Sequence, residues 1–184
     1  VAARKRMQAA WPGEAPGDWA SGAAAFEVPA GIDQMIAQGR EVGLAKPSGL
    51  DADCLSLRET LIYGLKGMAA YAEHARVLGR TDERIFDFYH EALAATAKTD
   101  LGLQDWLGLV MRCGKANLWT MELLDEANTG SFGHPVPTEV PLGHRKGKAI
   151  LVSGHDLKDL HVLLEQTEGK GVDVYTHGEM LPAH

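Results

Sequence analysis

From Leu57 onward, apolar residues recur at three- and four-residue steps: Leu57, Leu61, Leu65, Met68, Ala72 and Ala75. That spacing predicts the core-facing stripe of a long helix, with Asp53 as its N-cap and Gly79 as its stop. Gly64 and Gly67, with Ala69, Ala70 and Ala72, thin its side chains, so a neighbouring backbone can approach closely there. A second helix is expected from Thr81 as N-cap, with Asp82 and Glu83 in its first turn, where carboxylates suit the helix dipole. Its stripe is Ile85, Tyr89, Ala92, Leu93 and Thr96. A third is predicted over Leu103–Ala127, ending near Asn128-Thr129-Gly130, with Leu107, Val110, Met111, Leu118, Met121 and Leu124 inward. Three consecutive amphipathic helices with short links predict an antiparallel three-helix bundle over residues 51–130.

The period then changes. Residues 131–146 form a connector in which Pro135, Pro137 and Pro141 exclude a central strand or helix. In 147–184 a β-branched run, Ala149–Val152, leads into Ser153-Gly154-His155-Asp156. An amphipathic segment follows, with Leu157, Leu160, Leu163 and Leu164 on one face and Gly169 and Gly171 as its stop. A second run, Val172–Tyr175, ends in Thr176-His177-Gly178-Glu179. This is one βαβ unit with parallel strands, the start of a parallel-sheet, Rossmann-like domain. The predicted class is α plus α/β.

Residues 1–50 read as an irregular linker with short helices. Arg4–Ala10 suits the tail of a helix that Pro12 breaks, and Ile32–Gln38 a short helix closed by Gly39. Gly13, Pro16, Gly17, Gly22 and Pro29 punctuate a loop whose Trp11, Trp19 and Phe26 are expected to pin it to a core.

Composition narrows the function classes. The 45% hydrophobic content is that of a globular chain, yet no apolar run nears the about 18 residues of a membrane span. Residues 1–30 lack the apolar core of a signal peptide. The net charge of −7 argues against nucleic acid, because phosphate binding needs a basic patch. Cys54 and Cys113 form no C-x-x-C pair, so neither a disulfide framework nor a zinc knuckle is expected, and a reducing cytoplasm fits. The chain begins at Val1 and stops just after the last loop, and two strands with one helix cannot cover a parallel sheet. It is expected to be an internal piece of a longer protein.

Ligands of open α/β sheets collect at the carboxyl ends of the strands. His155 and Glu179 each lie just past such an end, 24 residues apart, and become neighbours if the strands pair. They are the candidate site. The bland alternative makes His155 a locally bonded loop residue and Glu179 a first-turn carboxylate. Asp156 is expected to cap the crossover helix. His74, His90 and His161 lie on helices, where structural or surface roles are expected, and His134 and His144 sit in the connector. A single glycine after the first strand does not make a dinucleotide fingerprint or a P-loop. Ser153 lacks the flanking glycines of a nucleophile elbow.

LIYGLKGMAAYAEHARVLG (Leu61–Gly79), MELLDEANTGSFGHPVPTEV (Met121–Val140) and ILVSGHDLKDLHVLLEQTEGKGVDVYTHGEMLPAH (Ile150–His184) resemble the hybrid-cluster protein family. Its members are also called prismane proteins or hydroxylamine reductases. The resemblance spans residues 50–184. It implies an iron–sulfur oxidoreductase in which the His of S-G-H-D-L and the Glu of T-H-G-E-M-L bind iron of a hybrid iron–sulfur–oxygen cluster. Those residues are His155 and Glu179. It further implies several cysteine ligands and a second glutamate beyond this chain, and an upstream cysteine motif for a conventional cubane (4Fe–4S) cluster. Neither Cys54 nor Cys113 matches a ligand position, so this chain alone is expected to hold neither cluster. The implied reaction is two-electron reduction of hydroxylamine to ammonia and water, with nitric oxide as another substrate and a redox partner supplying electrons. His177 is a candidate proton donor. The alternative is a catalytically inert structural piece without bound cluster. A free-standing His/Glu metal protein is disfavoured, since structural sites normally use four ligands.

Overall fold

The computed structural model describes residues 2–14, 25–42 and 49–184, in two compact units, Val1–Gly49 and Leu50–His184. In the first, α1 spans Ala2–Ala9 and α2 spans Ile32–Val42. Helix α2 runs through Gly39, which does not close it, because an exposed helical glycine weakens a helix without breaking it. Trp11 is half exposed and Phe26 is partly covered, whereas Trp19, Pro16, Gly17 and Gly22 lie outside the described residues.

The second unit begins with α3 (Ala52–Val77), α4 (Glu83–Thr96) and α5 (Leu103–Phe132). Two caps differ from the expected ones by one or two positions. Asp51, not Asp53, caps α3, its Oδ1 accepting from the backbone of Asp53 at 3.0 Å and of Cys54 at 3.1 Å. Asp82, not Thr81, caps α4, accepting from Arg84 N–H at 2.9 Å. Where two adjacent residues can both cap, the one whose carboxylate reaches the second or third amide wins. Gly79 ends α3 as expected: at φ +80° it donates to the Arg76 carbonyl while Arg80 donates to that of Ala75, closing a Schellman motif. Arg58, near the start of α3, donates to the Thr96 carbonyl at the end of α4 at 3.2 Å, as helices running in opposite directions require.

The core is built from Leu61, Leu65 and Met68 of α3, Ile85, Phe88, Ala92 and Ala95 of α4, and Trp106, Leu109, Cys113 and Ala116 of α5. On α4, Phe88 and Ala95 face inward and Leu93 does not. The larger correction is on α5. It carries two apolar series at helical spacing, and the inward one is Trp106, Leu109, Cys113, Ala116, Thr120 and Ala127. The expected series is split: Met111 is 68% and Leu118 69% exposed, whereas Val110 packs against the edge of the core. The close approach of α3 explains the choice: a Cβ on Gly64 would lie 2.8 Å from Cys113 Sγ, so only a small residue fits opposite. Helix α5 also runs past Gly130 to Phe132 and stops at Gly133, whose φ is +87°. No helix among the described residues is long and apolar enough to cross a membrane.

After the proline-rich connector come β1 (Lys148–Ser153), α6 (Leu157–Thr167) and β2 (Val172–His177). The two strands pair in parallel from Lys148↔Val172 to Ser153↔His177. Strand β2 is longer than expected, so Thr176 and His177 belong to the strand and not to the loop after it. Asp156 caps α6, accepting from Asp159 N–H at 2.9 Å, and Leu160 is its buried anchor. At the carboxyl end, Gly178 (φ +58°) turns the chain into a 3-10 turn, Gly178–Ala183, fixed by Met180, which is fully buried.

Candidate functional site

The strand register assembles the site. Each residue of β1 faces the one 24 positions later, and the two residues beyond Ser153 and His177 are reached by equal steps. His155 and Glu179 therefore meet at the carboxyl end of the pair, with Nδ1 3.0 Å from Oε2. A carboxylate can only accept, so the imidazole donates from Nδ1 and keeps Nε2 as a free lone pair. Both side chains reach solvent, Glu179 the more so, and neither is sealed in a core.

One step back, Ser153 Oγ and His177 Nδ1 are 3.0 Å apart across the same two strands. His177 and His184 line a hollow of about 810 Å³ with Arg145 and Tyr175, and neither His155 nor Glu179 lines it. His184 Nε2 lies 2.6 Å from Thr176 Oγ1. His161 pairs along α6 with Glu165 at 3.3 Å and rests against the Phe132 ring. His90, His134 and His144 are exposed.

Sequence reasoning missed two residues of α3. His74 Nδ1 lies 3.0 Å from Asp156 Oδ2, and its ring stands 5.3 Å from that of His155 at 76°. The Tyr71 ring lies 5.5 Å from His155. Their three-residue spacing puts Tyr71 and His74 on one face of the helix, but nothing in the sequence says that this face meets the β1 loop.

The chain matches the model of the Prismane/CO dehydrogenase family over residues 6–184. It belongs to that family. It is 59% identical over 167 residues to the hydroxylamine reductase of Syntrophobacter fumaroxidans, covering 91% of this chain and 31% of that protein. The hydroxylamine reductase of Solidesulfovibrio magneticus is 54% identical over 184 residues, 100% of this chain and 34% of that protein. That of Rhodospirillum rubrum is 62% identical over 133 residues, 72% and 24% respectively. The chain thus spans about a third of the length of the first two of these relatives.

A family of this kind implies bound iron, and the donor set can be tested for fit. With its Nδ1 proton committed to Glu179 Oε2 at 3.0 Å, His155 offers Nε2 as a donor beside a carboxylate, and a ligating histidine commonly gives its other N–H to a carboxylate in this way. Imidazole and carboxylate together suit iron. The pair fits as two members of a larger set, for among the described residues no three His, Cys, Asp or Glu converge. Cys54 and Cys113 are buried within the helical core.

Proposed function

We propose that this chain is a segment of an iron–sulfur oxidoreductase that reduces hydroxylamine to ammonia and water, with His155 and Glu179 as two ligands to iron of a hybrid iron–sulfur–oxygen cluster. The observation that carries the reading is the 3.0 Å contact of an imidazole and a carboxylate at the carboxyl ends of two parallel strands. The family membership and the names of the relatives support it. The remaining ligands, thiolates among them, and a conventional 4Fe–4S cluster belong to other parts of the longer protein.

The bound cluster would supply electrons and an exchangeable coordination position, since imidazole and carboxylate are harder ligands than thiolate. The rest is this chain's work. Hydroxylamine takes up two electrons and two protons as its N–O bond breaks, giving ammonia and water. His155 and Glu179 fix the reacting end at the strand termini, open to a small solute. His177, steadied by Ser153, is the proposed donor of a proton to the departing oxygen. Nitric oxide is a second proposed small substrate, and a redox partner in the cytoplasm is proposed to deliver the electrons.

A second reading concerns the chain in isolation: a folded module that is inert because two donors do not retain a cluster. It is supported by the lack of a third converging ligand among the described residues, and it is compatible with the first. Iron and acid-labile sulfide, measured on anaerobically prepared full-length protein, test the assignment. His155→Ala with Glu179→Ala is expected to lose part of the iron while the conventional cluster stays. Full iron and sulfide in the double variant would make both residues structural.

A further inference from the structure

On this reading the Glu179 carboxylate is shared between iron and the Nδ1 proton of His155. If the carboxylate turns to the metal, the ring of His155 needs another support. The residues on its other side come from α3. The Tyr71 ring lies 5.5 Å away, tilted by 57°, and the His74 ring lies 5.3 Å away at 76°. The Tyr71 and His74 rings lie 6.5 Å apart, tilted by 44°, and together form one wall. His74 is also tied down, because its Nδ1 lies 3.0 Å from Asp156 Oδ2 while the other oxygen of Asp156 caps α6. A carboxylate partner fixes the tautomer with the proton on Nδ1. The wall is thus anchored to the backbone segment that carries His155.

We propose that Tyr71 and His74 are positioning residues that hold the His155 imidazole in its ligating orientation, acting through ring contact and the His74–Asp156 bond. This rests on the reading of His155 as an iron ligand. Outer partners of a ligating histidine are worth about 10–100-fold in metal retention, and here the partners are supplied by a helix distant in sequence. The contact of Tyr71 is made by its ring, so its hydroxyl is dispensable.

The test uses full-length protein carrying its clusters, with two readouts besides turnover: the nitrogen hyperfine coupling of the ligating imidazole in pulsed electron paramagnetic resonance, and the rate of iron release to a chelator. His74→Ala and Tyr71→Leu are expected to shift the coupling and to speed release about tenfold or more. Tyr71→Phe should match the unaltered protein in both. His74→Asn, which keeps a donor for Asp156 but removes the ring, should shift the coupling while the fold stays intact; it decides the matter if His74→Ala does not fold. Unchanged coupling and release in His74→Asn and Tyr71→Leu would overturn the positioning role alone. Absence of any imidazole coupling in the unaltered protein, or its survival in His155→Ala, would overturn the ligand assignment and this proposal with it.

Discussion

The thiol is the residue type most expected of an iron–sulfur protein, and both thiols of this chain lie in the helical core and not at the strand ends. Cys54 is 4% exposed and Cys113 6%. The Asp51 carboxylate, hydrogen-bonded to the Cys54 thiol, pushes it up to about 11, and burial pushes Cys113 up as well. Only a thiolate is a good nucleophile or ligand, so near pH 8 both stay protonated and covered. The native chain is expected to resist iodoacetamide at pH 8 and to take up two labels once denatured; rapid labelling of the folded chain would contradict this burial. A thiol that ionises near 9.0 when unfolded and near 11 when folded contributes fully below the lower value. Its contribution fades as pH rises through that window, so the stability difference between the unaltered chain and Cys54→Ala should shrink from pH 9 to pH 11. The absence of a C-x-x-C pair already excluded these residues as a knuckle. What the sequence could not convey was Asp51 as the cause, because its role as cap depends on where α3 begins.

At the scale of elements, glycine positions on α3 separate packing from propensity. Gly64 faces Cys113, and a Cβ there would sit 2.8 Å from Sγ, whereas Gly67 faces open space. Gly67→Ala is expected to stabilise by up to about 1 kcal/mol, the helix propensity gained. Gly64→Ala should instead destabilise by about 1–3 kcal/mol, because overpacking outweighs that gain, and Cys113→Ala should restore part of the loss. Chemical denaturation measures both, and a stabilising Gly64→Ala would refute the close approach. The thinning of α3 was legible, as were its length and its Schellman stop. The rotation of α5 was not. Two apolar series share its period, and periodicity alone does not say which one a neighbour will press against. The answer lies in the volume left opposite Gly64, a property of two helices together. The βαβ unit was legible because its strand, cap and glycine signals are local.

At the scale of the molecule, the site depends on two kinds of encounter. His155 and Glu179 are joined through one crossover, and the equal offset of 24 could be read from the strand ends alone. Tyr71 and His74 come from a helix that closes before residue 80, and no local signal announces their arrival. The chain has about a third of the length of its relatives, and on the proposed reading it contributes a corner of a centre whose other donors lie elsewhere. The parallel register has one more consequence, for tolerance to length change. The distance between His155 and Glu179 is set by the ladder from Lys148↔Val172 to Ser153↔His177, not by the number of residues that bridge it. Lengthening the Gly169–Gly171 link by a residue should therefore leave the two groups facing, and the iron content of full-length protein unchanged. One residue inserted between Ser153 and His155 should part them and cost that iron, although it lengthens the chain by the same amount. Relatives with longer or shorter crossovers can keep this pair, and it is to be sought by counting from the strand ends.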